Sequence, residues 1–130
     1  MAHLLIVDDD PVVRRSLIRA LAEHTCVAAS NGLEALQWLE MCDFDLVITD
    51  VDMPVMDGLQ FYRRLCANFP DVEILFHTGS SFAGQLDAPV LSKSWPMPKV
   101  IDEIEQRLGV ETRDADLDAA GAPILEMGRG

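Results

Sequence analysis

The sequence predicts an α/β fold: a five-stranded parallel sheet, doubly wound, with helices on both faces. Three observations predict it. Short apolar runs at residues 3–7, 25–29, 45–49, 72–77 and 90–92 alternate with longer stretches whose apolar residues recur at helical spacing. The runs are apolar at successive positions, as strands buried on both faces are. Strands separated by helices need crossovers, which run right-handed and leave neighbouring strands parallel.

Each element has its own signal. His3-Leu4-Leu5-Ile6-Val7 reads as the first strand. Residues 11–23 read as an amphipathic helix, with Val12, Val13, Leu17, Ile18 and Leu21 inward and Arg14, Arg15 and Arg19 outward. Residues 25–29 form a short second strand, and Asn31-Gly32 is a turn signal. The helix over 33–41 directs Leu33, Leu36, Trp38 and Leu39 inward. Residues 45–49 make the third strand, followed by a long turn and a helix over 58–67 that packs Leu59, Phe61, Tyr62 and Leu65. Val72, Ile74, Leu75 and Phe76 mark the fourth strand, and Val90-Leu91-Ser92 the fifth. The last helix spans 98–108, with Pro98 at its start and Ile101, Ile104 and Leu108 inward. Residues 109–130 hold four Gly, four Ala and five acids with little periodicity, so they are expected to be a flexible acidic tail or linker. The domain proper is therefore expected at 1–108.

Composition narrows the function. At 130 residues the chain supports one domain with a real core. A formal net charge of −12 argues against nucleic acid bound through a broad basic surface and against docking on anionic lipid. No apolar run approaches the ~20 residues that span a bilayer, and no signal peptide is visible. Cys26, Cys42 and Cys66 are odd in number and widely spaced, so they read as buried thiols in a reducing compartment. A cytoplasmic location is expected.

The chemistry lies where strands end. Leu46-Val47-Ile48-Thr49 delivers Asp50 to the point where the chain must turn, and Val51-Asp52-Met53-Pro54 follows at once. The first strand likewise ends in Asp8-Asp9-Asp10-Pro11. In open parallel sheets, ligand chemistry gathers at the carboxyl ends of the strands. If the two strands are neighbours, their carboxylates converge and repel one another. A divalent cation relieves that repulsion, and hard oxygen donors with room for water suit Mg²⁺ or Mn²⁺. The bland alternative is an acidic turn at Asp50 and a helix N-terminus at Asp8 to Asp10, where the helix dipole favours acids. The two readings combine if Asp10 caps the helix while Asp8 and Asp9 face the site.

These residues together resemble the receiver domain of bacterial two-component response regulators. The resemblance rests on Asp8-Asp9, Asp50, Met53-Pro54 with Asp57-Gly58, Thr78 and Lys93, in that order, each placed at or just beyond a strand end. It covers residues 3–108 and implies a flavodoxin-like fold with strand order 2-1-3-4-5. It further implies that Asp50 is the phosphoacceptor, taking a phosphoryl group from a histidine of a sensor histidine kinase or phosphotransfer protein. Asp8, Asp9 and Asp50, with the backbone carbonyl of Asp52, would hold Mg²⁺. Lys93 would pair with Asp50 and then cover phosphoryl charge, Thr78 would bond a phosphoryl oxygen, and Gly79 would leave the group space to enter. Asp52 and Ser80 would tune hydrolysis. A downstream partner protein is implied without being named. His77 is assigned to local packing or the surface, and His3 and His24 to no metal site.

Three departures from the family stand out. Ser94 follows Lys93 where the family usually has Pro, often after a cis bond; a cis bond before a non-Pro residue costs ~2.5–4 kcal/mol, so a trans loop is expected. Only 14 residues separate Thr78 from Lys93, fewer than the family commonly has, so a fourth helix between the fourth and fifth strands is expected to be shortened or absent. Val90 stands where the family commonly carries an aromatic ring. Two further readings keep a place: a pseudo-receiver used only for docking, and a haloacid-dehalogenase-type phosphatase built on Asp50-Val51-Asp52. The latter is disfavoured by Met53-Pro54.

Overall fold

In the computed structural model, the described residues are 2–79 and 88–116, with side chains described as far as Gly109. The element order is β1 (His3–Val7), α1 (Pro11–Ala20), β2 (Thr25–Ala29), α2 (Gly32–Met41), β3 (Leu46–Thr49), α3 (Gly58–Asn68), β4 (Glu73–Thr78), β5 (Val90–Ser92) and α4 (Met97–Asp116). The sheet runs β2-β1-β3-β4-β5. Every neighbouring pair is parallel, with Val7 beside Ala29 and Thr49, and Thr49 beside Phe76. The expected fold and strand order are both present. Of the segment expected to carry a shortened fourth helix, residues 80–88, all but Ala88 lie outside the described residues.

Strand alternation divides the core. Leu5, Val7, Val47, Ile74 and Phe76 face α2 and α3 and pack with Ala35, Leu39, Phe61 and Leu65. Leu4, Ile6, Leu46, Ile48, Leu75 and Leu91 face the other way, against Leu17 and Leu21 and against Val100 and Ile104 of α4. Burial of such side chains stabilises the fold by roughly 1.5–3 kcal/mol each.

Several inward assignments need correction. Val12 and Leu33 are 59% and 44% exposed. In α2 the buried positions are Gly32, Ala35, Leu36 and Leu39, a spacing that turns Leu33 outward. The stripe is set by Gly32, where an added Cβ would meet Phe61 Cβ at 2.9 Å. Cys66 is exposed, and Cys26 and Cys42 are half-buried; Cys66 lies one position past the buried Leu65, which rotates it off the packed face. α1 stops at Ala20, where residues 21–23 turn and the His24 N–H donates to the Leu21 carbonyl. α4 continues through Asp116, past the expected end at 108. Gly109 does not stop it, since one interior glycine costs a helix only about 1 kcal/mol. The remaining tail, 117–130, lies outside the described residues. Among the described residues no helix is long and apolar enough to cross a membrane.

The loop between β3 and α3 holds a strained residue. Val55 has φ 69°, and the Met56 N–H donates to the Pro54 carbonyl across it at 2.7 Å. A β-branched residue in that region is strained by about 1–3 kcal/mol. Val55→Gly is therefore expected to raise the unfolding free energy by about 1 kcal/mol, after the extra freedom of glycine in the unfolded chain is deducted. Urea denaturation checks this, and a loss of stability would show that the Val55 side chain is held by packing.

Candidate functional site

The carboxyl edge of the sheet gathers the acids. β1 and β3 are adjacent, so Asp8 and Asp50 leave the sheet side by side. The Asp50 N–H donates to the Val7 carbonyl at 2.9 Å, and the Asp8 N–H to the Ala29 carbonyl at 3.1 Å, so both backbones are held as extensions of the sheet. Asp10 caps α1, accepting from the Val12 N–H, and Pro11 takes the first helical position. This is the division of labour expected of the three acids. Asp8 and Asp50 are buried, Asp9 is exposed, and carboxylate oxygens from all three lie within 4.8 Å of one another.

Lys93 closes the cluster. Its Nζ is 2.6 Å from Asp50 Oδ2 and 3.0 Å from Asp8 Oδ2. Its backbone N–H donates to the Thr78 carbonyl at 3.1 Å, which ties the end of β5 to the end of β4. Among the described residues no peptide bond is cis. Serine replaces proline as the stiffener of this loop: Ser92 Oγ lies 2.7 Å from Ser94 Oγ and accepts from the Ser94 N–H. Lys99 then covers the Trp95 ring at 4.2 Å.

Asp50 is further fixed by its own turn. Its Oδ1 accepts from the Val51 N–H at 2.6 Å, and Thr49 Oγ1 donates to its carbonyl at 2.9 Å. Asp8 Oδ1 accepts from the Asp10 N–H, and Arg14 Nη1 donates to the Asp8 carbonyl at 2.6 Å. Arg14, expected to point outward, thus braces the site. Thr78 is buried at the end of β4. A Cβ on Gly79 would lie 4.0 Å from Lys93 Cβ, so Gly79 sits beside the lysine stem. Asp52 is exposed, and its carboxylate is not one of those gathered in the cluster.

Burial pushes the Asp8 carboxyl up, against the lowering effect of the Asp10 N–H and of Lys93. Burial alone would lower the Lys93 ammonium, but its bonds to Asp50 and Asp8 outweigh that and raise it. The site is thus a partly compensated charge cluster, with one cation set against two buried acids and a third at the rim.

His77 is buried on β4, with its Nδ1 lacking a hydrogen-bond partner among the described residues. Burial and then the Lys93 charge lower its pKa to about 4, against a smaller raising effect from Asp50. The folded protein therefore keeps His77 neutral, while the unfolded chain takes up a proton near pH 6.5. Stability is expected to fall by up to about 3 kcal/mol as pH drops from 6.5 through 4. His77→Leu is expected to remove this slope, checked by denaturant midpoints across that range. An unchanged slope would assign the loss to other groups.

A second cluster escaped sequence reading because its members are far apart in the chain. His24 Nδ1 accepts from the Ala2 N–H at 3.0 Å, and Nε2 is 3.0 Å from Glu105 and 3.6 Å from Glu23. With Nδ1 accepting, the neutral ring carries its proton on Nε2 and donates it to Glu105. The contact fastens α4 to the start of β2.

A doubly wound parallel sheet with a carboxylate–lysine centre on its carboxyl edge defines a class, that of signal-receiver domains. The chain belongs to the response regulator receiver domain family, whose family model matches residues 4–87. It is 35% identical over 117 residues to the response regulator receiver protein CpdR of Brucella abortus (strain 2308), covering 83% of this chain and 98% of that protein. It is 36% identical over 104 residues to the sensor kinase CckA of the same organism, covering 75% of this chain but 11% of that protein. Among solved structures it resembles the response regulator TrrA of Thermotoga maritima in complex with Mg²⁺–BeF. That match has a TM-score of 0.75 at 29% identity and covers 82% of this chain and 98% of the other.

Proposed function

We propose that Asp50 accepts a phosphoryl group from a phosphohistidine of a sensor histidine kinase or phosphotransfer protein, and that the chain carries this signal in the cytoplasm to a downstream protein. One observation carries the reading: Lys93 Nζ bridges Asp50 at 2.6 Å and Asp8 at 3.0 Å, with Asp9 in the same cluster. A carboxylate is a competent nucleophile when charge builds up on the transferring group under stabilisation. The Asp50 carboxylate attacks phosphorus, the bond to the histidine nitrogen breaks, and the electron pair leaves with the imidazole. Lys93 provides a fixed positive charge beside the oxygens of the moving group. Thr78, at the end of the neighbouring strand, offers a hydroxyl to a phosphoryl oxygen.

The donor set fits a divalent cation. Three carboxylates converge within 4.8 Å, all are oxygen donors, and one is exposed to solvent. Asp8, Asp9 and Asp50, with the Asp52 carbonyl, would hold Mg²⁺ or Mn²⁺. When bound, the cation supplies charge neutralisation for the phosphoryl oxygens. The phosphatase alternative needs a second catalytic acid at Asp52, whose carboxylate stands apart from the cluster.

Incubation with acetyl phosphate and Mg²⁺, read by intact mass, tests the proposal. One added phosphoryl group, absent in Asp50→Asn, is expected. No adduct on the wild-type chain would favour the docking-only pseudo-receiver. Turnover of a phosphate ester would favour the phosphatase.

A further inference from the structure

The outer face of α3 carries a feature that the acidic centre does not use. Gln60, Arg63, Arg64 and Ala67 form one helical stripe along it, and with Val55 and Met56 they line an open groove of about 430 Å³. Val55 stands at its end, 74% exposed and held in the strained left-handed region. Gly or Asn would adopt that backbone without strain, yet an apolar, β-branched side chain is displayed there. Arg63 and Arg64 are both exposed, and neither forms an ion pair among the described residues. They stand out in a chain with 22 acids and only 10 lysines and arginines.

We propose that this groove docks an acidic amphipathic helix of a partner protein. A stripe with helical spacing is matched by a second helix laid along it. Ala67 is small enough to let the backbones approach. Arg63 and Arg64 meet the partner's carboxylates, and Val55 contacts its apolar edge. The chain's net charge of −12 repels acidic partners at long range, so docking here relies on the local field of the arginine pair. The surface is built without any contribution from Asp50, so it can be tested without a phosphoryl donor.

The test is a titration of the full chain, in the absence of phosphoryl donor, followed by backbone amide chemical shifts. Three synthetic peptides serve as probes: a helical peptide with Glu and Leu on adjacent faces, the same peptide with Leu replaced by Ser, and the same with Glu replaced by Lys. The first is expected to bind, with shifts concentrated at residues 55–67. Arg63→Glu with Arg64→Glu is expected to weaken it by about 10-fold or more, and Val55→Asn by about 5-fold. Both variants alter exposed side chains, and thermal melts verify that they fold. Absence of binding, shifts centred on another face, or equal binding of the Ser-substituted peptide would overturn the proposal, the last by showing only a general attraction of anions to arginine.

Discussion

Gly58→Ala is expected to lower the unfolding free energy by about 3 kcal/mol, the upper end of what overpacking a tight contact costs. A Cβ at Gly58 would overlap the Asp50 carbonyl oxygen and lie 2.7 Å from Val51 Cα. Neither obstacle is the end of a flexible side chain; both are backbone at the carboxyl end of β3. The Gly58 N–H also donates to the Val51 carbonyl at 2.7 Å, so α3 cannot back away without losing that bond. The N-terminus of α3 is pinned from its other side by Asp57, which accepts from the Gln60 N–H while Gln60 accepts from the Asp57 N–H. Methyl insertion must therefore push the Asp50 turn itself. Denaturant unfolding should show a lower midpoint with an unchanged slope, and acetyl phosphate labelling of Asp50 should slow in the folded fraction. A variant as stable as the parent would mean that the close approach of α3 to β3 relaxes freely.

That same contact explains what could be read from the chain alone. Strands announced themselves because both faces are buried, leaving apolar runs such as Leu46 to Ile48 with no polar interruption. Once β1 and β3 are neighbours, the placement of Asp8 and Asp50 follows from where those runs stop. Helix faces were less legible. Leu33 has the hydrophobicity of a core residue, but Gly32, with no side chain, occupies the inward position because Phe61 and Met56 leave no room there. Periodicity counts apolar residues and is blind to a glycine that must be inside. Arg14 was legible as a polar face residue, yet its reach to the Asp8 carbonyl depends on a turn only the folded backbone defines. The His24–Glu105 contact joins residues 81 positions apart, beyond any local pattern.

Lys93→Ala should have the largest effect at the site, and the size of its effect on stability depends on whether metal is present. Without metal, the substitution leaves the buried carboxylates of Asp8 and Asp50 facing one another with no cation between them. Breaking a buried pair costs about 3–5 kcal/mol, and because the lysine side chain is 27% exposed the expected loss is nearer about 2 kcal/mol at neutral pH. Acid should shrink the difference. The Asp8 carboxyl is already raised by burial, and removing the ammonium raises it further. An acid whose folded pKa lies above its unfolded value gains stability as pH falls through the folded value, so the variant approaches the parent in acid. Mg²⁺ should help the variant more than the parent, since it takes over the compensation that Lys93 provides. At a hundredfold excess over its dissociation constant a ligand adds about 2.7 kcal/mol, enough to offset the loss. Phosphoryl acceptance should not recover with stability. A fixed charge beside the transferring oxygens contributes about 100-fold or more to such steps, and a cation held by the acids would not bring the lysine's N–H donors to those oxygens. Thermal melts with and without Mg²⁺, set beside labelling rates, separate the two roles. Equal stability of parent and variant in metal-free buffer would show that Lys93 does not compensate the acids, and recovery of the labelling rate with Mg²⁺ would show that its charge is interchangeable with the metal's.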